Sequence, residues 1–160
     1  MPKIDHVGIA VNSVDAAASL LESLLGQPPD GGQTVPEEGV RVVFFGSGPG
    51  RIELLEATNP DSPLARFLRR RGPGLHHICL RVPDLHATLD RARSNGLEIV
   101  PPGAREGADG RTVAFLHPRS TGGVLIELSE FPDPSSRTVG PAAERPAEPH
   151  GPLPGEPPGP

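Results

Sequence analysis

Hydrophobic and polar residues alternate in the same way at two places in this chain. In Asp5-His6-Val7-Gly8-Ile9-Ala10-Val11, a strand puts Val7, Ile9 and Val11 on one face and His6, Gly8 and Ala10 on the other. Gly74-Leu75-His76-His77-Ile78-Cys79-Leu80-Arg81-Val82 repeats the pattern. At a constant offset of 71 residues His6 falls on His77, Val7 on Ile78, Ile9 on Leu80, Val11 on Val82 and Val14 on Leu85. The chain therefore reads as two copies of one module.

Each first strand is followed by an amphipathic run. The first is a helix capped by Ser13 or Asp15, with Ala17, Leu20, Leu21, Leu24 and Leu25 on its apolar stripe and Gly26 at its end. After Pro28-Pro29-Asp30-Gly31-Gly32 come strands over 40–45 and 51–55, joined by a Gly-Ser-Gly-Pro-Gly hairpin link, with a short strand near Thr34. Ser62 as N-cap and Pro63 at the first helical position start a short helix running to about Arg70, which Gly72-Pro73-Gly74 stops. The second module repeats the plan: a strand over 76–82, a helix from Asp84 to about Ser94 closed by Asn95-Gly96, and strands near 97–100, 111–116 and 123–129. The Arg69-Arg70-Arg71 run reads as a solvated helix end favoured by the dipole.

Composition changes this picture mainly at the carboxyl end. Ten of the 29 residues from Pro132 onward are proline and none is aromatic, so residues 132–160 are expected to be a disordered tail and the folded body to span 1–131. The net charge of -5 and the absence of Trp and Tyr argue against a nucleic-acid binder. No apolar run is long enough to cross a membrane, and the amino terminus has no signal pattern, so a cytoplasmic protein is expected. The single cysteine, Cys79, excludes an internal disulfide.

The candidate chemistry lies in repeat-related positions. A histidine opens each first strand, His6 and His77, and a glutamate sits in each last strand, Glu53 and Glu127. By strand alternation all four occupy the face opposite the apolar, helix-covered one, and if the two sheets curl toward each other they line one cleft. Alone, a histidine at a strand start or a glutamate on a strand is usually a satisfied or exposed polar group. Two imidazoles and two carboxylates at equivalent positions suit a divalent metal in an octahedral site with two positions open. Gly8 and Ala10 would leave space above it. His76 should point the other way, Cys79 should fill the cleft floor, and His117 should sit in a loop near solvent.

Taken with Asp61-Ser62-Pro63-Leu64-Ala65-Arg66-Phe67-Leu68, Phe115-Leu116-His117-Pro118-Arg119-Ser120 and Gly122-Gly123-Val124-Leu125-Ile126-Glu127-Leu128, the two opening segments resemble the methylmalonyl-CoA epimerase family of the vicinal oxygen chelate superfamily. The resemblance covers residues 3 to about 131. It implies an α+β fold of two βαβββ modules, about 3–58 and 74–131, forming a curved sheet cleft within one vicinal oxygen chelate domain. It also implies a homodimer, an acyl-CoA substrate, and metal ligands at His6, Glu53, His77 and Glu127. The ion would be divalent, cobalt first, with zinc, manganese, nickel or magnesium as alternatives. The implied reaction interconverts the epimers of methylmalonyl-CoA by α-proton abstraction through a metal-stabilised enediolate, with Glu127 as one catalytic base. Several relatives carry a glutamate where Val42 stands here, so the second base is open between Glu53 and a water. A glyoxalase-type isomerase or lyase, or a non-catalytic small-molecule binding protein of the same superfamily, are the alternative functions.

Overall fold

The computed structural model describes residues 3–107 and 110–131; the 132–160 tail lies outside the described residues. Strand β1 (Lys3–Ala10) leads into helix α1 (Val14–Leu25), followed by β2 (Gly31–Val35), β3 (Val40–Phe45) and β4 (Arg51–Ala57). Helix α2 (Pro63–Arg71) links the modules, and β5 (Gly74–Val82), α3 (Leu85–Ser94), β6 (Arg105–Glu106), β7 (Thr112–Leu116) and β8 (Leu125–Glu130) complete the second. The strands form one eight-stranded mixed sheet in the order β2-β3-β4-β1-β5-β8-β7-β6, curled into a half-barrel. The two modules meet at its centre through the antiparallel β1–β5 pair. Within each module the first strand runs parallel to the last: Gly8 lies beside Glu53 in one and Cys79 beside Glu127 in the other.

The helices start where the sequence provides acceptors for their unpaired N–H groups. Ser13 accepts from the Ala16 amide, Ser62 from Ala65 and Asp84 from Ala87. Asp15 does not cap α1; it takes a bidentate ion pair from Arg41 on β3. The convex face of the sheet is apolar, as alternation requires. Val14, Ala17, Ala18 and Leu21 of α1 pack on Val43, Phe45 and Leu54, while Leu85, Leu89 and Ala92 of α3 pack on Ala114, Leu116 and Leu128.

Two expectations are corrected. The buried stripe of α1 follows positions 14, 17, 18 and 21, so Leu20 and Leu24, off that stripe, are 69% and 76% exposed and Leu25 is exposed too. Residues 97–100 are not a strand: a single bridge joins Ile99 to Leu116, and Pro101 and Pro102, which lack N–H groups, follow at once. The second module's short strand is β6 instead. The concave face is apolar at one end. At the module-one end Leu64, Phe67 and Leu68 of α2 pack on Ala10, Val40, Val42, Phe44 and Leu55, closing that end of the half-barrel.

Candidate metal centre and cleft

The concave face holds a cavity of about 400 Å³, a size ordinary for small-molecule sites. Its floor is the β1–β5 seam. His6 and His77 face each other there with their Nε2 atoms 3.0 Å apart. The Oε2 atom of Glu53 lies 3.3 Å from Nε2 of His6 and 3.4 Å from Nε2 of His77; that of Glu127 lies 3.4 Å and 3.0 Å from the same atoms. All four expected residues are thus brought together and buried, one histidine and one glutamate from each module.

Their environment sets their charge. Burial alone would push the carboxyls of Glu53 and Glu127 up, but hydrogen bonds from His6 and His77 prevail and hold both at about 2. Burial alone would push His77 down, and the two carboxylates instead lift it to about 9. His6 is raised against burial as well, first by Asp5.

Two ring nitrogens can face each other at 3.0 Å only with a proton or a cation between them. For His6, Oδ2 of Asp5 lies 2.9 Å from Nδ1 and accepts its N–H, so a cation that replaced the proton at Nε2 would find a lone pair directed at the cluster. Around a six-coordinate ion with bonds of about 2.1 Å, neighbouring ligand atoms are about 3.0 Å apart. The observed spacings and the nitrogen and oxygen donors therefore fit a divalent ion.

Asp5 is a site residue that strand alternation misses. It is fully buried and is held by Arg81 at 2.6 Å, Arg51 at 3.3 Å and Arg111 at 3.6 Å. Burial raises its carboxyl, but the hydrogen bonds from His6 and Arg81 and the charge of Arg51 bring it to about 2. It enters the cleft because β1 bulges: Ile4 pairs with Leu80 and His6 with Cys79, so Asp5 has no partner on β5 and the alternation slips by one.

The same irregularity overturns the expectation for His76. Ile9 pairs with Leu75 and Gly8 with His77, which leaves His76 as the extra residue on β5. It lines the cavity beside His77, with the two Nδ1 atoms 3.0 Å apart, and does not point away. Burial first, and the charge of His77 second, push it down to about 4. The two bulges are themselves repeat-related, since Asp5 precedes His6 as His76 precedes His77.

Gly8 serves a different purpose from the one expected. A Cβ there would fall 2.2 Å from Cε1 of His77, so the glycine makes room for that imidazole and not for the ion. Cys79 lies beneath His6 as filler, its thiol pushed up to about 11 by burial. It groups with Asp5 and His6, but Asp5 is committed to His6 Nδ1 and to the arginines. His117 stands outside the cavity lining and accepts from the Arg119 amide within its own loop. Arg69, in the basic run, donates to the Pro60 carbonyl and the run is exposed. Across the cleft mouth Arg105 of β6 rests on the Phe115 ring and pairs with Glu38 of the β2–β3 turn, a contact between modules that no local pattern signals.

A family model described as the Glyoxalase/Bleomycin resistance protein/Dioxygenase superfamily matches residues 5–115. The human mitochondrial methylmalonyl-CoA epimerase is 36% identical over 129 residues, which are 80% of this chain and 73% of that protein. The structure of methylmalonyl-CoA epimerase from Mycobacterium tuberculosis superposes with a TM-score of 0.75 at 36% identity, covering 83% of this chain and 89% of that one. A variant of the Streptomyces coelicolor methylmalonyl-CoA epimerase, solved in complex with 2-nitronate-propionyl-CoA, gives a TM-score of 0.75 at 31% identity, covering 80% and 93%. With its duplicated half-barrel and paired histidines and glutamates, the chain belongs to the Glyoxalase/Bleomycin resistance protein/Dioxygenase superfamily, alongside the methylmalonyl-CoA epimerases.

Proposed function

We propose that this chain is a metal-dependent epimerase of methylmalonyl-CoA. The observation that carries the reading is the cluster in which Nε2 of His6 and His77 meet at 3.0 Å and Oε2 of Glu53 and of Glu127 each lies 3.0–3.4 Å from both nitrogens, on the floor of an otherwise largely apolar cleft. A divalent ion held there, cobalt in the first instance, would supply Lewis-acid stabilisation of the negative charge that develops on a thioester oxygen.

The chain's own residues do the rest. Epimerisation needs a proton acceptor on one face of the α carbon and a donor on the other. Glu127 from β8 takes the first role. Val42 cannot take the second: it is 2% exposed among Ala10, Phe44, Leu55 and Leu64, an apolar patch with no proton to give. Glu53, the repeat counterpart of Glu127, reaches the imidazole pair from the other module and returns the proton from that side. The apolar walls keep water from the carbanion while Glu53 and Glu127 exchange roles with the direction of reaction.

The substrate is an acyl-CoA, of which the cavity takes the acyl end. The chain is read as cytoplasmic from its sequence, and as a homodimer, the latter supported by the exposed Leu20, Leu24 and Leu25 of α1, which offer apolar surface to a second copy. No helix among the described residues is long and apolar enough to cross a membrane.

Deuterium exchange tests the proposal. With cobalt supplied, the wild type should wash deuterium into the α position of methylmalonyl-CoA and interconvert its epimers. Glu53→Gln should still exchange the proton of one epimer but fail to interconvert the two. Turnover of glutathione hemithioacetals without any exchange at methylmalonyl-CoA would replace this reading by the glyoxalase one.

A further inference from the structure

The bulge in β5 turns into the cleft a histidine that the chemistry above does not use. His76 is held between two rings, edge-on to Phe67 of α2 at 4.8 Å and to His77 at 5.3 Å between centroids. Its Nδ1 faces Nδ1 of His77 at 3.0 Å. Such a pair needs one proton between its members. If that proton sits on His77, the Nε2 of His77 is left with a lone pair directed at His6, Glu53 and Glu127. If it sits on His76, the proton of a neutral His77 is on Nε2, pointing into the cluster where a ligand lone pair is wanted.

The first module meets the same requirement one residue before its own histidine. Asp5, the bulged residue of β1, lies 2.9 Å from Nδ1 of His6. At the same offset in the repeat, His76 is the bulged residue of β5. The duplication thus provides each imidazole with a partner at Nδ1, a carboxylate in one half and a second imidazole in the other. Metal-ligating histidines nearly always give their other N–H to an acceptor that fixes ring plane and tautomer.

We propose that His76 is the positioning residue of the second module: it accepts the Nδ1–H of His77 and so presents the Nε2 atom of His77 to a divalent cation. The inference rests on the metal-centre reading above. It also makes the two ligand histidines inequivalent, His6 backed by an anion and His77 by a neutral ring.

Cobalt titration of the full chain by calorimetry, with the cobalt absorption spectrum, tests it on three proteins. His76→Phe keeps the ring volume and the stack on Phe67 but has no acceptor, and should weaken cobalt binding by about 10- to 100-fold. His76→Asp restores an acceptor of the kind Asp5 provides and should return affinity to within a few-fold of wild type. A His76→Phe protein that binds cobalt as wild type does, or a His76→Asp protein no better than His76→Phe, overturns the proposal. Nitrogen-15 NMR of the wild type after chelator treatment provides a second readout that needs no variant to fold. The His77 ring should carry a proton on Nδ1, with or without a second on Nε2, and a proton on Nε2 alone refutes the contact. If wild type binds no cobalt the metal-centre reading fails, whereas loss confined to the His76 comparison leaves that reading standing.

Discussion

Gly8→Ala is a one-atom test of the site. Gly8 lies directly across from His77 in the β1–β5 register, and an added Cβ would sit 2.2 Å from Cε1, 2.4 Å from Nδ1 and 2.7 Å from Nε2 of that ring. Carbon atoms in contact need about 3.5 Å, so the imidazole must retreat by more than about 1 Å. The strands cannot open to allow this, because Gly8 and His77 are held by ladders to β4 and β8 on either side. Metal ligands tolerate roughly 0.2 Å, so the displaced Nε2 leaves the cluster. We expect cobalt affinity to fall by at least about 100-fold, beyond the range of an outer-shell change. Overpacking should cost about 1–3 kcal/mol, seen as a melting point several degrees lower by circular dichroism. A second substitution isolates the cause. In the Gly8→Ala, His77→Ala double variant the clash is gone, so its stability should exceed what the two single losses add up to, with cobalt binding still absent. A Gly8→Ala protein with native cobalt affinity and melting point would refute the close approach. Strict additivity in the double variant would mean that Gly8 matters for some reason other than His77.

Further outcomes follow from the same geometry. Asp5→Asn keeps an acceptor for His6 but removes the buried negative charge that Arg81 grips with two nitrogens; stability in urea should fall by up to about 3–5 kcal/mol, the range for breaking a buried pair. Glu127→Gln should lower epimerase activity by roughly 10²- to 10⁴-fold, the usual contribution of acid-base catalysis, far more than Val42→Glu changes it in either direction. A chain ended at Pro132 should keep its melting temperature and activity, because the last described residue, Phe131, is already anchored by the hydrogen bond its N–H donates to the Val82 carbonyl and by Arg81 and Arg111 on its ring.

The four cleft residues were legible because strands have a period of two and the buried face fixes register. Once Val7, Ile9, Ile52, Leu54 and their counterparts are assigned to the convex side, His6, Glu53, His77 and Glu127 have only one face left to occupy. Asp5 and His76 were not legible from that rule, because a bulge breaks it by a single residue. The trace it leaves is small: a doubled polar pair, Asp5-His6 and His76-His77, at equivalent points of two otherwise alternating runs. The stripe of α1 is ambiguous in the sequence because seven leucine and alanine positions compete and only packing on Val43, Phe45 and Leu54 selects Ala17, Ala18 and Leu21. The Glu38–Arg105 tie joins residues 67 apart, where no periodicity reaches.

The duplication also accounts for Cys79, which composition alone leaves without a purpose. The β1–β5 pair is antiparallel between repeats, so the register that sets Gly8 opposite His77 must, under exchange of the modules, set Cys79 opposite His6, as observed. Each imidazole of the cluster therefore stands across from a small residue. The two halves differ in degree: Gly8 has no room for even a Cβ, while Cys79 carries a side chain that is fully buried against His6. On the metal-centre proposal Cys79 is a spacer and not a ligand, and its substitutions should sort by size. Cys79→Ala, which removes one sulfur, should bind cobalt within a few-fold of wild type at a stability cost of about 1–2 kcal/mol for the small void. Cys79→Leu should drive His6 from Asp5 and from the cluster, and lose cobalt as Gly8→Ala does. If Cys79→Ala instead lost the metal as completely as His77→Ala, the thiol would be a ligand, and the grouping of Asp5, His6 and Cys79 would be the centre in place of the four residues above it.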